Sequence, residues 1–327
     1  MLVDSYNRIH NYLRISLTDK CNLRCTYCNP VDLPRGYFAG ASRMTADEID
    51  KITSVFVSEG VKKIRLTGGE PLVRKDVGEI IDRLSKYPVE LAITTNGVFV
   101  HEFIEIFKKA GIQAVNVSLD SLDKEKNFRI TLRDEFDRVT RNISLLLENN
   151  FQVKVNVVVM KKVNDDEILN FIEWTKHHPV HVRFIEFMPF ADNQWSDAKV
   201  FSYKEILDLI SSKYHFDKLR NDKNDTAKSY IVPGHRGTFS IISTMSEPFC
   251  SSCNRMRLTT DGKLKNCLFS TSEMDLLKAL RNGEDILPLI KACVGNKYAA
   301  LGGQFTNALE NTDASKICNR RMIDIGG

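Results

Sequence analysis

Nowhere in the 327 residues does an apolar run approach the roughly 18 residues needed to span a bilayer. The first ten residues, Met1–His10, have no apolar core of the kind that heads a secretory leader. The expectation is therefore a cytoplasmic protein with no membrane association. A long basic stripe is also missing, and the net charge of +4 is mild, which argues against nucleic acid as a partner but suits a small phosphorylated substrate. Nothing in the sequence suggests an oxidising compartment, so the eight cysteines are expected to be metal ligands or reduced thiols rather than disulfides. What the cysteine pattern itself lacks is more informative. Six of the eight fall in two triplets, and neither triplet has a fourth cysteine close by in sequence.

Cys21, Cys25 and Cys28 follow the strand-like run Leu13–Thr18 with x3 and x2 spacing. Three thiolates on one short loop can hold three irons of a cubane cluster and leave the fourth iron to a small-molecule ligand. The alternative is zinc, but structural zinc takes four protein ligands, usually as paired Cys-x2-Cys, and no such second pair follows. Cys250, Cys253 and Cys267 repeat the incomplete set with x2 and x13 spacing. Arg255 and Arg257 stand two apart on a strand-like run beside it, so both guanidinium groups project to one side. Asp261-Gly262 supplies the turn that brings the chain back to Cys267. Zinc stays open here too, with Cys293, Cys318 or His235 as the closing ligand.

A hydrophobic content of 43% with 27% charged residues is that of a globular protein, and the length suits a barrel with an added piece. Strand-like runs at Leu13–Thr18, Lys62–Thr67, Glu90–Asn96, Ala114–Asp120, Val153–Met160 and His181–Phe187 alternate with amphipathic stretches. Such a βα repeat predicts a parallel sheet curled into a partial (β/α)6 TIM-type barrel, with site residues on the loops at the strand C-terminal ends. After Phe187 the rhythm breaks. The predicted organisation is a barrel over 1–190 and a smaller α+β domain over 191–327 that caps the barrel opening.

Within the strands, Leu13, Ile15 and Leu17 oppose Arg14, Ser16 and Thr18, and Ile64 and Leu66 oppose Lys63, Arg65 and Thr67. Val115, Val117 and Leu119 likewise oppose Asn116, Ser118 and Asp120. With helices outside, the polar face must line the lumen. Arg14, Lys63, Arg65, Lys154 and Arg183 have no acidic partner in their own strands, and burying them unpaired is costly. A polyanionic ligand would resolve that. Gly68-Gly69-Glu70-Pro71 ends the second strand, where glycines let backbone approach a ligand and a carboxylate can meet an ammonium.

The first triplet, with Tyr27 before its last cysteine, resembles the loop of radical S-adenosylmethionine enzymes, whose fourth iron is chelated by the methionine end of that cofactor. By the same resemblance Tyr27, Gly69, Ser118 and Met188 would form the cofactor's pocket. A closer likeness comes from the run Phe249–Thr259, from Asp261–Leu264 and Cys267–Phe269, from Arg183–Pro189, from Asn193–Trp195 and from the terminal Gly326-Gly327. Together these are similar to the GTP 3′,8-cyclase family of molybdenum cofactor biosynthesis. The resemblance implies two [4Fe-4S] clusters, on Cys21, Cys25 and Cys28 and on Cys250, Cys253 and Cys267. It implies GTP held by Arg14, Arg65, Thr94, Lys154, Arg255, Met256 and Arg257, with Arg257 and Arg14 assisting catalysis. It further implies radical cyclisation between the ribose 3′ carbon and guanine carbon 8, an external one-electron donor, and a downstream cyclic pyranopterin monophosphate synthase that receives the product. The chain would act as a monomer or homodimer, with Gly326-Gly327 reaching the site.

Asn29 and Ser240 depart from the family pattern, and 296–320 matches it poorly. Cys293 and Cys318 read as inert thiols. The rival readings are a peptide-modifying radical enzyme with an auxiliary cluster, or a zinc-stabilised module that binds nucleotide or RNA without catalysis.

Overall fold

The computed structural model describes residues 1–28, 43–304 and 319–326. Six parallel strands lead: β1 (Tyr12–Ser16), β2 (Lys63–Thr67), β3 (Glu90–Thr95), β4 (Ala114–Ser118), β5 (Gln152–Val159) and β6 (His181–Glu186). Between them run α1 (Ala46–Ser58), α2 (Val77–Leu84), α3 (Ile104–Lys109), α4 (Lys124–Thr131), α5 (Phe136–Glu148) and α6 (Ile168–His177). Each strand turns one row of branched residues outward. Ile15, Ile64, Val117 and Val155 are fully buried in one cluster with Ile49 and Phe56 of α1 and Ile80 of α2. Truncating one such side chain to alanine costs about 2–5 kcal/mol.

Local signals start the helices. The Thr45 hydroxyl accepts from the Glu48 amide at 3.2 Å, and the Glu48 carboxylate accepts from the Thr45 amide at 2.8 Å, a reciprocal cap that opens α1. α4 is absent from the sequence-based reading because it has almost no apolar face. It begins at an Asp123 cap and buries Asn127 and Thr131 beside Ile130.

After α7 (Tyr203–Ser211) the chain continues the same sheet through β7 (Asp217–Lys218), β8 (Lys228–Ile231), β9 (Thr238–Ile242), β10 (Arg255–Leu258), β11 (Lys263–Lys265) and β12 (Met274–Asp275). The strand order is β12-β11-β10-β1-β2-β3-β4-β5-β6-β9-β8-β7. β10 pairs parallel with β1, and β9 pairs parallel with β6. The later strands thus extend both edges of the six-stranded sheet, and their polar faces extend the same lumen. The short helices α8 (Leu276–Arg281), α9 (Leu287–Gly295) and α10 (Met322–Ile325) complete the described chain. Among the described residues no helix is long and apolar enough to cross a membrane.

Topology puts the two triplets at opposite ends of the barrel. Cys21, Cys25 and Cys28 follow the C-terminal end of β1. Cys250 and Cys253 precede the N-terminal end of the parallel β10, and Cys267 follows β11, which runs back to that same end.

Candidate active site

The first triplet's loop is fastened on two sides. The Gly69 amide donates to Thr18 O at 2.6 Å and the Glu70 amide to Lys20 O at 2.8 Å. A Cβ on Gly69 would stand 2.5 Å from Lys20 O, so no larger residue lets these two backbones meet. From the other side the Arg24 and Thr26 amides donate to Thr131 O and Ile130 O at the end of α4. The Tyr27 hydroxyl donates to Asp120 Oδ2 at 2.8 Å, and the Asn96 amide lies 3.7 Å from Cys21 Sγ. Burial and the charge of Glu70 push the Cys21 thiol up to about 12. Burial, Asp120 and the other two thiols push Cys25 well above its ordinary value, and burial, Cys21 and Asp324 raise Cys28. Three mutually opposed buried thiolates call for a cationic core to neutralise them. A single zinc would draw its sulfurs to within about 3.8 Å of one another. Three thiolates on one loop are the donor set that three irons of a cubane cluster take.

Glu70 departs from its expected part. Its carboxylate is fully buried and accepts from the Leu72 amide at 3.0 Å, the Thr95 hydroxyl at 2.8 Å and the Asn96 amide at 2.6 Å. It ties the glycine loop to the end of β3.

Between the two ends lies the polar face. In register, Arg257, Arg14 and Arg65 stand side by side on β10, β1 and β2. Strands about 4.8 Å apart set like charges against each other at about 3 kcal/mol per adjacent pair, at an effective dielectric near 20. The Nε atoms of Arg14 and of Arg183 on β6 are sealed from solvent and have no hydrogen-bond partner among the described residues. Burial, then Arg257 and Arg65, hold the Arg14 guanidinium well below its ordinary value. Burial and neighbouring cations bring Arg183 to about 9, Arg257 to about 10 and Lys154 to about 8. Guanidinium groups keep their protons at neutral pH, so these shifts measure how strongly the lumen favours an anion.

Tyr12 was not foreseen as a site residue, although its period-two spacing from Arg14 marks it. Its hydroxyl accepts from Arg65 Nε at 2.6 Å. Burial pushes the phenol up, but Arg65 and Arg14 outweigh burial and bring it to about 7. Arg65 also donates to Ile93 O at 3.1 Å and lies 3.5 Å from the Thr94 hydroxyl. Arg255 packs over Phe249 and Tyr12 and donates to Asn224 O at 2.8 Å.

Two expectations are corrected by the strand geometry. Lys63 is not an orphan cation: it pairs with Glu90 of the adjacent strand at 2.6 Å, near the barrel floor. Met256 points outward between the two arginines and is fully buried in the apolar cluster with Leu13, so only its main chain is available to a lumen ligand. Ser118 ends β4 on the lumen face opposite Asn156. Met188, Tyr27, Cys250 and Cys267 border one apolar cluster built on Phe187, Trp195 and Phe269. Ser240 stands opposite Arg183, its hydroxyl 2.8 Å from His181 Nε2, while His181 Nδ1 meets the Thr238 hydroxyl at 2.6 Å. This departure therefore supplies a lumen partner. Lys154, His181 and Arg183, with Thr226 and Ser229, line a cavity of about 370 Å³ below the lumen.

The second triplet is differently surrounded. Cys250 opens a tight turn, and the Cys253 amide donates to Cys250 O at 3.2 Å. The Leu301 amide lies 3.4 Å from Cys250 Sγ, and Lys297 Nζ lies 3.4 Å from Cys253 Sγ. Burial raises the Cys253 thiol, yet Lys297 and Arg255 outweigh it and hold the thiol below its ordinary value. Arg8 fastens the loop by donating to Cys250 O at 2.8 Å while paired with Asp4. The proposed fourth zinc ligands do not close the set: Cys293 Sγ turns to Leu264 O, and His235 bonds the Thr175 hydroxyl. Cys318 and Asn29 lie outside the described residues.

Gly326 does reach the lumen. Its carbonyl accepts from Arg257 Nη1 at 2.6 Å, and a Cβ there would meet the Thr67 hydroxyl at 2.5 Å and Ser16 Cβ at 2.9 Å. Gly327 lies outside the described residues.

Known proteins share this plan. The Radical SAM superfamily matches residues 15–175, and Molybdenum Cofactor Synthesis C matches 180–301. The mitochondrial GTP 3′,8-cyclase of Arabidopsis thaliana is 44% identical over 100% of this chain and 84% of its own length. The GTP 3′,8-cyclase of Helicobacter pylori is 40% identical over 91% of this chain and 93% of its own. Molybdenum cofactor biosynthesis protein 1 of Dictyostelium discoideum is 44% identical over the whole chain, which spans only 52% of that longer protein. Among solved structures, Streptococcus suis SuiB bound to S-adenosylmethionine has the same fold, with a TM-score of 0.65 at 15% identity over 95% of this chain and 72% of that one. With the Arabidopsis and Helicobacter relatives at 44% and 40% identity over 84% and 93% of their own lengths, and with both triplets and the basic lumen in place, the chain belongs to the GTP 3′,8-cyclase family of the radical SAM superfamily.

Proposed function

We propose that this chain joins the ribose 3′ carbon of GTP to guanine carbon 8, an early step of molybdenum cofactor biosynthesis. One observation carries the reading: Arg257, Arg14, Arg183 and Lys154 share the lumen with no carboxylate at ion-pair distance among the described residues. A triphosphate supplies the missing charge.

Cys21, Cys25 and Cys28 would hold the first [4Fe-4S] cluster, and Cys250, Cys253 and Cys267 the second. Tyr27, Gly69, Ser118 and Met188 would hold S-adenosylmethionine beside the first. When bound, the first cluster and S-adenosylmethionine supply the 5′-deoxyadenosyl radical that takes hydrogen from the ribose 3′ carbon. Arg14, Arg65 and Lys154 bind the triphosphate, with Thr94 and the Met256 main chain alongside. Arg255 and Arg257 place positive charge at the guanine end. Arg257 and Arg14 are the catalytic assignments, since their charges favour electron gain by the cyclised nucleotide. Gly326 and the bordering apolar residues keep stray hydrogen donors out of the lumen.

An external one-electron donor and a downstream cyclic pyranopterin monophosphate synthase complete this reading, with the chain working as a monomer or homodimer in a reducing compartment such as the cytoplasm. The test is anaerobic incubation of the reduced holoprotein with S-adenosylmethionine and GTP deuterated at the 3′ position. Deuterium is expected in 5′-deoxyadenosine; none there would overturn the assignment.

A further inference from the structure

Lys297 follows α9 and is 4% exposed. Its ammonium lies 3.4 Å from Cys253 Sγ and 3.1 Å from Arg255 O. No carboxylate lies within ion-pair distance of it among the described residues. Leaving an ammonium buried and unpaired costs several kcal/mol, so this one requires a lasting anion close by. The atom at hand is a cluster ligand. Arg255 and Arg8 add positive charge to the same loop, and His10, buried near Lys297, is hydrogen-bonded to Asp4 at 2.9 Å. At the first triplet no lysine or arginine is hydrogen-bonded to a sulfur among the described residues; Cys21 meets the Asn96 side-chain amide and backbone amides of its own loop with Glu70 nearby, Asp120 lies near Cys25, and Arg321 acts on Cys28 through space.

Hydrogen bonds to sulfur and local net charge set the potential of an iron–sulfur cluster. An ammonium against a ligating sulfur stabilises the more negative, reduced state and raises the potential. We propose that Lys297 is the charge partner of the second cluster, a positioning residue that holds this cluster's reduction potential above the value its three cysteines alone would give. It also anchors the Arg255 main chain where β10 begins. The second cluster is thereby kept from acting as the strong reductant, a task left to the first.

This rests on the second triplet holding a cluster, and the test separates the two claims. The full-length holoprotein is titrated anaerobically and followed by electron paramagnetic resonance, with iron counted in every variant. Lys297→Met and Lys297→Gln should retain both clusters, lower the second cluster's midpoint and leave the first unmoved, while Lys297→Arg should restore most of the shift. An unmoved second midpoint in fully loaded Lys297→Met overturns the proposal. It also fails if both uncharged variants lose the second cluster while Lys297→Arg keeps it, because the ammonium would then only brace the loop. If the unaltered protein holds one cluster, the reading of the second triplet fails instead.

Discussion

The two cysteine triplets have the same donor set and opposite surroundings. Around Cys21, Cys25 and Cys28 stand the carboxyl groups of Glu70, Asp120 and Asp324, with Arg321 paired to Asp324 and opposing them beside Cys28, and burial drives all three thiols up. Around Cys250 and Cys253 stand Lys297, Arg255 and Arg8; the Cys253 thiol is driven down, while burial still raises that of Cys250. Negative surroundings favour the oxidised, less anionic state of a cluster and make it a stronger reductant once reduced. Positive surroundings favour an anion that stays. The difference teaches that one end of the barrel is built to release an electron and the other to hold a charged guest, with the arginine row between them.

The largest expected effect comes from breaking either end. Cys25→Ser should abolish 5′-deoxyadenosine formation and leave the second cluster's spectrum intact. Cys267→Ser should lose only the second cluster, halving the iron, and stop cyclisation; unchanged iron would mean that this triplet is misread.

Next comes the row between them. Arg14→Met removes a cation that has no partner without ligand, so two readouts should move oppositely. The Michaelis constant for GTP should rise about tenfold to a hundredfold, as for a lost charge-assisted contact. The ligand-free protein should melt higher, because relieving an unpaired buried charge gains about 1–3 kcal/mol. A lower melting temperature together with an unchanged Michaelis constant would make Arg14 an ordinary structural residue.

Gly326→Ala tests whether the tail belongs to the comparison. A Cβ would collide with Thr67 and Ser16 at a positive φ of 86°, costing about 1–2 kcal/mol and freeing Arg257 from its carbonyl partner. Turnover should drop about tenfold with iron unchanged.

The smallest effect is with pH. Lys154 is brought from 10.5 to about 8, so between those values the unfolded chain binds more protons than the folded one. Ligand-free stability should therefore rise as pH climbs from about 8 towards 10.5. GTP affinity should fall over the same range, because the bound triphosphate needs the ammonium. Lys154→Met should flatten both slopes, as differential scanning fluorimetry and a Michaelis-constant profile would record.

Much of this was legible in sequence for a physical reason: β1, β2 and β5 each alternate strictly, and alternation fixes which side chains share a face. Arg14, Arg65 and Lys154 could be assigned to the lumen on that ground alone. Pairing register is a property of neighbouring strands, so the side-by-side placement of Arg257, Arg14 and Arg65 and the Lys63–Glu90 pair could not be read from any one strand. Met256 was carried over with its two neighbours, although the same alternation turns its side chain away. Glu70 reads as a ligand group beside glycines, and only the fold shows three donors already directed at its carboxylate. Lys297 carries no local signal, since its partner lies 44 positions away. The α4 helix escaped for lack of an apolar stripe, yet its final carbonyls hold the cysteine loop.

The most direct test of two open triplets across a cationic lumen is metal and sulfide content after anaerobic purification. The account predicts a brown protein with about eight irons and about eight sulfides per chain, two cubanes in all. A colourless protein carrying stoichiometric zinc, or one with about four irons, would contradict it.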